Sequence, residues 1–301
     1  MEALMDVINR YEDLLDRLDD RAIARLNASI ESAYKSLIAK LQDAYPRLSK
    51  DMSLIPAERD LLITAQLKDL LNVIKPDARD ELAELIKTAD GLGGESVEDL
   101  IRTIDPDFKV ATFSRVSVEA AAIAADQSYQ ALLRRGETFA KGASETIAQG
   151  VLQGWGSARV AKAIKRQTEA TQRAASMIAR TETVRAAAGA SKQRYVNSGV
   201  NYGIWITVIT EVCSWCVGKG GQIYKIEDMV IPQHPNCRCT IIPVTPGWAK
   251  NDLIDFNAIA DYSERVKKAS GVKVRFDKAP FENLPPESIS IESLKRKRSK
   301  L

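Results

Sequence analysis

The chain has 301 residues, 45% of them hydrophobic and 28% charged, with a formal net charge of +3. That is enough apolar material to bury one large core or two ordinary ones, which excludes disorder throughout. No apolar run approaches the ~18 residues a membrane span needs. Met1 to Asp20 is acidic and amphipathic, without the basic and apolar regions of a secretory leader, so the expectation is a soluble protein made in a reducing cytosol.

The modest net charge hides an asymmetry. Residues 1–110 carry 15 basic and 23 acidic side chains, and residues 111–301 carry 28 and 17. An acidic front and a basic back either meet different partners or are solvated helix faces of uneven charge.

In chain order, apolar residues recur every three or four positions from Leu4 through Ile8, Leu15, Leu26 and Ile30 to Leu41, which predicts a helix that Pro46 ends. The seven-residue rhythm slips between Leu18 and Ile30, so a hairpin or bundle helix fits as well as a coiled coil. A second helical block is expected from about Pro56 to Ile74, interrupted by Pro76 and resumed from Arg79 to Ala89. Gly91 to Gly94 reads as a breaker, after which Ser96 caps a short helix to Ile104 and Asp105-Pro106-Asp107 turns the chain.

Ser117 to Ala148 is alanine-rich and helical, and Gly150, Gly154 and Gly156 form a loop around Trp155. The helix capped by Ser157 carries nine basic residues between Arg159 and Arg194, against two acidic ones. Arg159, Lys162, Lys165, Arg166 and Arg180 are the candidates on it for meeting phosphates or an acidic protein surface, and a solvated face is the competing reading.

After Gly199 the residues turn aromatic and β-branched, predicting a strand over Tyr202–Ile209 and short strands at Ile223–Ile226 and Thr240–Val244. Beyond Trp248 the chain is polar and ends in a basic run containing Lys295, Arg296, Lys297 and Arg298, read as an extended or disordered tail and a further candidate for nucleic acid or a partner.

All four cysteines and the one histidine fall within 27 residues: Cys213, Cys216, His234, Cys237 and Cys239. A Cys-x-x-Cys pair, seventeen intervening residues and His-Pro-Asn-Cys-Arg-Cys supply two close ligand pairs joined by a loop, the spacing of a small zinc site. Zinc takes four ligands, so one of the five candidates is superfluous, and the spacing does not say which. Such a site reads as closed and structural. Glu211 and Glu227 are carboxylates near enough in sequence to act as bases, but nothing in their context singles them out. Unmetallated thiols or a later disulfide are the competing readings. One histidine is too few for a nuclease of the His-Asn-His kind.

Several of these segments together are familiar. Ile178-Ala-Arg-Thr-Glu-Thr183, Tyr195 to Gly199, Trp205, Cys213-Ser-Trp-Cys216, Gly220-Gly221 and His234-Pro-Asn-Cys-Arg-Cys239 through Pro243 resemble the phage head morphogenesis domain, the family of phage Mu protein F and the minor head protein of phage SPP1. Glu145 to Gly154, Trp155 to Ala158 and Val160 to Ile164 resemble the same family's helical lead-in, so the likeness covers about residues 120–246. Thr210-Glu211-Val212 departs from it, standing where members commonly carry an aspartate and an Arg-Thr pair.

The resemblance implies a non-enzymatic minor head protein of a tailed phage. It would be assembled in the host cytoplasm and sit in the virion at the portal vertex and head interior. Its implied partners are the portal protein, the major capsid or scaffolding protein and double-stranded DNA, with copies associating in the particle and no membrane involved. The alternative is a zinc-containing nucleic-acid-binding protein of the cytoplasm.

The expected fold is mainly α: N-terminal hairpins or a bundle, then a helical domain ending in a small β-rich unit held by the cysteines and histidine. The expected divisions are an acidic helical region at 1–110, the head-morphogenesis domain at 111–247 with its β-rich unit at about 200–246, and the tail at 248–301.

Overall fold

The computed structural model describes residues 2–48, 77–113, 118–207, 213–272 and 287–297. The block expected from Pro56 to Ile74, the departure at Thr210 to Val212, and Arg298 lie outside the described residues. The described chain is mainly helical: α1 Glu2–Leu48, α2 Asp77–Ile104, α3 Val118–Leu152, α4 Ser157–Asn197, α5 Ser214–Lys219, α6 Pro246–Lys250, α7 Phe256–Ser270 and α8 Ile291–Arg296. Three short strands, β1 Tyr202–Ile206, β2 Ile223–Lys225 and β3 Thr240–Val244, complete it.

Two compact units divide the chain, and not along the linear boundaries expected from sequence. One gathers residues 19–85 and 118–179; the other gathers 1–18, 86–117 and 180–301. The described residues of the first are helical apart from the turn at 153–156. Its α1 portion buries Ala22, Leu26, Ile30, Ala33, Leu37 and Leu41, a stripe at helical spacing. Asn27 O accepts from Gln172 Nε2 at 3.4 Å, and Ala161 O accepts from the Tyr34 hydroxyl at 3.5 Å, so α1 and α4 run antiparallel here. Leu82, Ala125, Leu132 and Ile164 are almost fully buried in the same unit. At roughly 25 cal/mol per Å² of apolar surface, this burial is what holds the four segments together.

The second unit is built on an antiparallel sheet with strand order β2-β1-β3. Register runs Ile204 opposite Ile223 on one side and Ile242 on the other. Four of the five residues in both β1 and β3 are buried, so this small sheet is covered on both faces. Its core joins Trp205, Tyr224 and Trp248 to Leu4 and Ile8 of α1, Val97, Leu100 and Ile101 of α2 and Tyr195 of α4.

The expected break at Gly91–Gly94 does not occur, because α2 continues through it. A Cβ on Gly93 would lie 2.1 Å from the Ala187 carbonyl oxygen of α4, and one on Gly94 would collide with the Phe113 ring. These glycines permit close approach of packed backbone, which offsets their roughly 1 kcal/mol helix penalty. The polar segment after Trp248 also differs from the expectation: Trp248 itself lies in α6, and α7 and α8 follow it. Ile259, Tyr262 and Val266 recur at helical spacing and are buried, as is Leu294. Thr245, Asp255 and Ser290 each cap a helix with a side-chain oxygen. The apolar stripe is only three residues wide in a polar sequence, which is why composition alone suggests a tail.

Candidate metal centre

The centre sits in the loops that join the strands of the second unit. Cys213 is the N-cap of α5: its Sγ accepts from the Cys216 amide at 3.4 Å while its carbonyl accepts from Val217 at 3.0 Å. The Cys-x-x-Cys spacing therefore places both sulfurs at the first turn of one helix. The other pair comes from a tight turn, closed by the Cys237 amide donating to His234 O at 3.1 Å. Pro235 occupies its second position and Asn236 its third, with φ 62°. Proline presets the negative φ, and asparagine tolerates the left-handed one, so Pro-Asn dictates a turn that brings His234 and Cys237 together.

These loops converge. Cys216 Sγ lies 3.4 Å from His234 Nε2 and 3.9 Å from Cys237 Sγ. Cys213, Cys216 and His234 form one group whose ligand atoms lie within 4.8 Å of one another, and Cys216, Cys237 and Cys239 form a second. A tetrahedral zinc ion with Zn–S near 2.3 Å and Zn–N near 2.05 Å sets adjacent sulfurs about 3.8 Å apart and a sulfur and nitrogen about 3.6 Å apart. The two short contacts of Cys216 match those edges, and the donor set could hold a metal ion. His234 is prepared for it as well. Its Nδ1 lies 2.8 Å from the Pro235 carbonyl oxygen, which can only accept, so the proton sits on Nδ1 and Nε2 turns its lone pair to the sulfurs.

The electrostatics follow from the crowding. Hydrogen bonding to the Cys216 side chain lowers the Cys213 thiol to about 4, and the Cys213 and Cys237 thiols raise His234 to about 10. The Cys216 thiol is driven up by its hydrogen bonds to neighbouring thiols, Cys239 is driven up by burial, and Cys237 is held down by hydrogen bonds from Cys216 and Cys239. Without a cation the cluster must share protons; a divalent ion would let the sulfurs ionise together.

The motif Arg180-Thr181-Glu182 proves to be support for this turn. Thr181 Oγ1 accepts from the Asn236 amide at 3.3 Å, which joins the two segments most distinctive in the sequence. Arg238 points away from its flanking cysteines to Asp16 of α1, 2.9 Å away. Beside it lies a cavity of about 80 Å³ that Glu12 also lines, and burial together with Asp16 pushes the Glu12 carboxyl up to about 8. Thr207, buried, donates to Cys216 O at 2.8 Å and lies 4.0 Å from Cys239 Sγ. Thr181 and Arg238 stand in the motifs that carry the resemblance, though the sequence assigns them no supporting role, and Glu12, Asp16 and Thr207 were not singled out. The Pro-Asn turn and the alternation at Cys-Arg-Cys are signals that could have pointed to Asn236 and Arg238.

The basic candidates separate into distinct environments. Arg159, Lys162, Lys165 and Arg166 are exposed in the helical unit, with Arg159 stacked 4.2 Å over Trp155. Arg180 is half-buried in the second unit. Arg194, counted with the basic face, is instead buried, bonded to Gly94 O at 2.5 Å, Ala111 O at 3.2 Å and Glu98 at 2.8 Å. Lys295 pairs with Asp252 at 2.9 Å, Arg296 is exposed, and Lys297 lies 5.5 Å from the Tyr202 ring. Glu227 is exposed, is paired with Lys225 at 3.2 Å and takes no part in the centre.

Among the described residues no helix is long and apolar enough to cross a membrane. Residues 141–242 match the family described as Phage Mu protein F like protein. No curated protein and no solved structure matches the chain.

Proposed function

Proceeding from a phage Mu protein F-like domain at residues 141–242, we propose that this chain is a minor, non-enzymatic head protein of a tailed phage, acting in head morphogenesis at the portal vertex and capsid interior. The observation that carries the reading is the match itself. It spans the Thr181 side chain and the Pro-Asn turn that it supports, two elements 55 positions apart joined by one hydrogen bond. The proposed partners are the portal protein and the major capsid or scaffolding protein, with several copies in each particle. Mass spectrometry of purified virions and procapsids of the source phage should find the protein in both; its absence from both would refute the role.

Within that role the cysteine unit is a structural zinc site. The set taken is the group Cys213, Cys216 and His234 with Cys237, which lies 3.9 Å from Cys216, leaving Cys239 as a buried thiol near Thr207. Four protein ligands leave no open position for a reacting water. The chemistry zinc supplies is cross-linking: it would tie the α5 turn to the Pro-Asn turn across a loop that has little regular structure of its own. Elemental analysis of protein purified without added metal should find zinc near one equivalent. Four freely titrating thiols and no zinc would refute the site.

DNA contact is the further reading that a specific observation favours. Among the described residues, Arg159, Lys162, Lys165, Arg166 and Arg173 are exposed on α4, and no carboxylate there pairs with them. Duplex DNA retention should weaken with salt at a log–log slope near −0.9 per phosphate contacted, and changing Lys162 and Arg166 to Gln should lower that slope by about two. A slope unchanged by the double substitution would remove this face from the interaction.

A further inference from the structure

Lys219, the last residue of α5, is 2% exposed. Its Nζ lies 4.6 Å from the ring centre of Trp205 and 5.0 Å from that of Trp215. Its hydrogen bond goes to Gln233 Oε1 at 3.0 Å, an oxygen that also accepts from Trp215 Nε1 at 2.7 Å. Gln233 in turn donates to Val230 O, so this acceptor is fixed. Among the described residues no carboxylate lies within ion-pair range of Nζ. A buried ammonium with one neutral acceptor and two ring faces is an expensive arrangement unless an anion lies close by. Trp215 stands between Cys213 and Cys216 at the start of α5, and Gln233 immediately precedes His234, so the ammonium is fixed to both ligand-bearing segments; burial lowers the Lys219 pKa, and the neighbouring cysteines oppose that shift.

We propose that Lys219 is the counter-cation of the metal centre, its ammonium clamped between Trp205 and Trp215 so that it balances the negative charge that thiolate ligands leave on a divalent ion. The inference rests on the metal reading above. Three thiolates and a neutral imidazole on a divalent cation leave one negative charge, and one buried ammonium cancels it. Four thiolates would leave two, so the lysine also favours the set containing His234. Lys219 touches no ligand position and acts through the field it sets up at the sulfurs. It is therefore a positioning residue, and what it contributes is its charge, which arginine can replace and methionine cannot.

The test uses the full chain and the variants Lys219→Met and Lys219→Arg. Zinc affinity is measured by competition with a chromophoric chelator, and thermal unfolding is followed for the loaded and the stripped protein. Lys219→Met should bind zinc about 10- to 100-fold more weakly, the range typical of lost outer-shell partners, while Lys219→Arg stays near wild type. The melting temperature of Lys219→Arg, loaded and stripped, should stay near that of wild type. A packing role predicts that Lys219→Arg loses zinc and melting temperature as Lys219→Met does, and that result would overturn the proposal, as would a Lys219→Met affinity equal to wild type. If Lys219→Met does not fold, Lys219→Gln, which keeps a donor for Gln233, carries the same comparison. Failure of the wild type itself to take up zinc would refute the metal reading. Normal uptake with no effect at Lys219 would refute this inference alone.

Discussion

The helical unit and the cysteine unit bury their interiors by opposite means. The helical unit uses alanine, leucine and isoleucine at regular spacing, and its backbone is satisfied within long helices. The cysteine unit packs Trp205, Trp215, Tyr195 and Tyr224 around a three-stranded sheet, and connects its strands through loops with little regular hydrogen bonding. Those loops must be tied by side chains: Thr207 to Cys216, Thr181 to Asn236, Lys192 to the carbonyls of Glu227 and Met229, and the sulfurs and imidazole to one another. A repeating backbone pattern stabilises itself once one face is covered; an irregular one needs specific tethers, and a metal ion is the strongest tether the residues present could bind.

The largest test of that contrast is Cys237→Ser. It should cost about 4 kcal/mol or more, expose Trp205 and Trp215 to solvent and release amide protection in β1 and β3, while amides of Ile30, Leu132 and Ile164 stay protected. Hydrogen exchange with tryptophan fluorescence reads both regions at once, and an unchanged melting temperature would mean that the cysteines are ordinary core thiols. The mirror experiment is Leu82→Ala, which creates a cavity in the helical unit and should cost about 2–5 kcal/mol without reducing zinc content. Loss of zinc from that variant would show that the two interiors do not respond separately.

A smaller effect isolates the turn. Asn236 has φ 62°, so Asn236→Ala should cost about 1 kcal/mol and weaken metal binding, whereas Asn236→Gly should do neither. Equal behaviour of the two variants, read by chemical denaturation and chelator competition, would contradict the backbone argument.

A pH-dependent effect concerns Glu12, whose carboxyl pKa burial raises from 4.5 to about 8. A raised acid favours the protonated form in the folded state. Its contribution is therefore fully present below about pH 4.5 and is lost as pH rises through about 8. Glu12→Gln should flatten the stability profile across that window and leave the variant the more stable protein above it. A profile parallel to wild type would place Glu12 in solvent.

Much of this was legible in one dimension. The stripe from Ala22 to Leu41, the strands at Tyr202 and Thr240 and the ligand spacing from Cys213 to Cys239 are all local periodicities or short motifs, and these report local structure directly. The continuity of α2 through Gly91–Gly94 was not legible, because those glycines answer to Ala187 and Phe113, neighbours by packing alone. Nor was the fate of Arg194, one of nine cations in sequence and a buried tether in space. The segment after Trp248 hid two helices behind a polar composition, since three buried residues at helical spacing are enough to dock a helix on a core that already exists.

The sequence by itself determined that there is a cysteine and histidine cluster, that it belongs to a mainly helical chain and that its motifs resemble those of the phage Mu protein F like family. Ligand spacing, turn chemistry and hydrophobic period are properties of consecutive residues, which is why they could be read there. Only the tertiary structure decided that Thr181 supports the Pro-Asn turn, that Arg238 reaches Asp16 and that Lys219 is buried against Trp205 and Trp215. Those are pairings between residues far apart in the chain, and what a charge or hydroxyl does is set by the partner that folding brings to it.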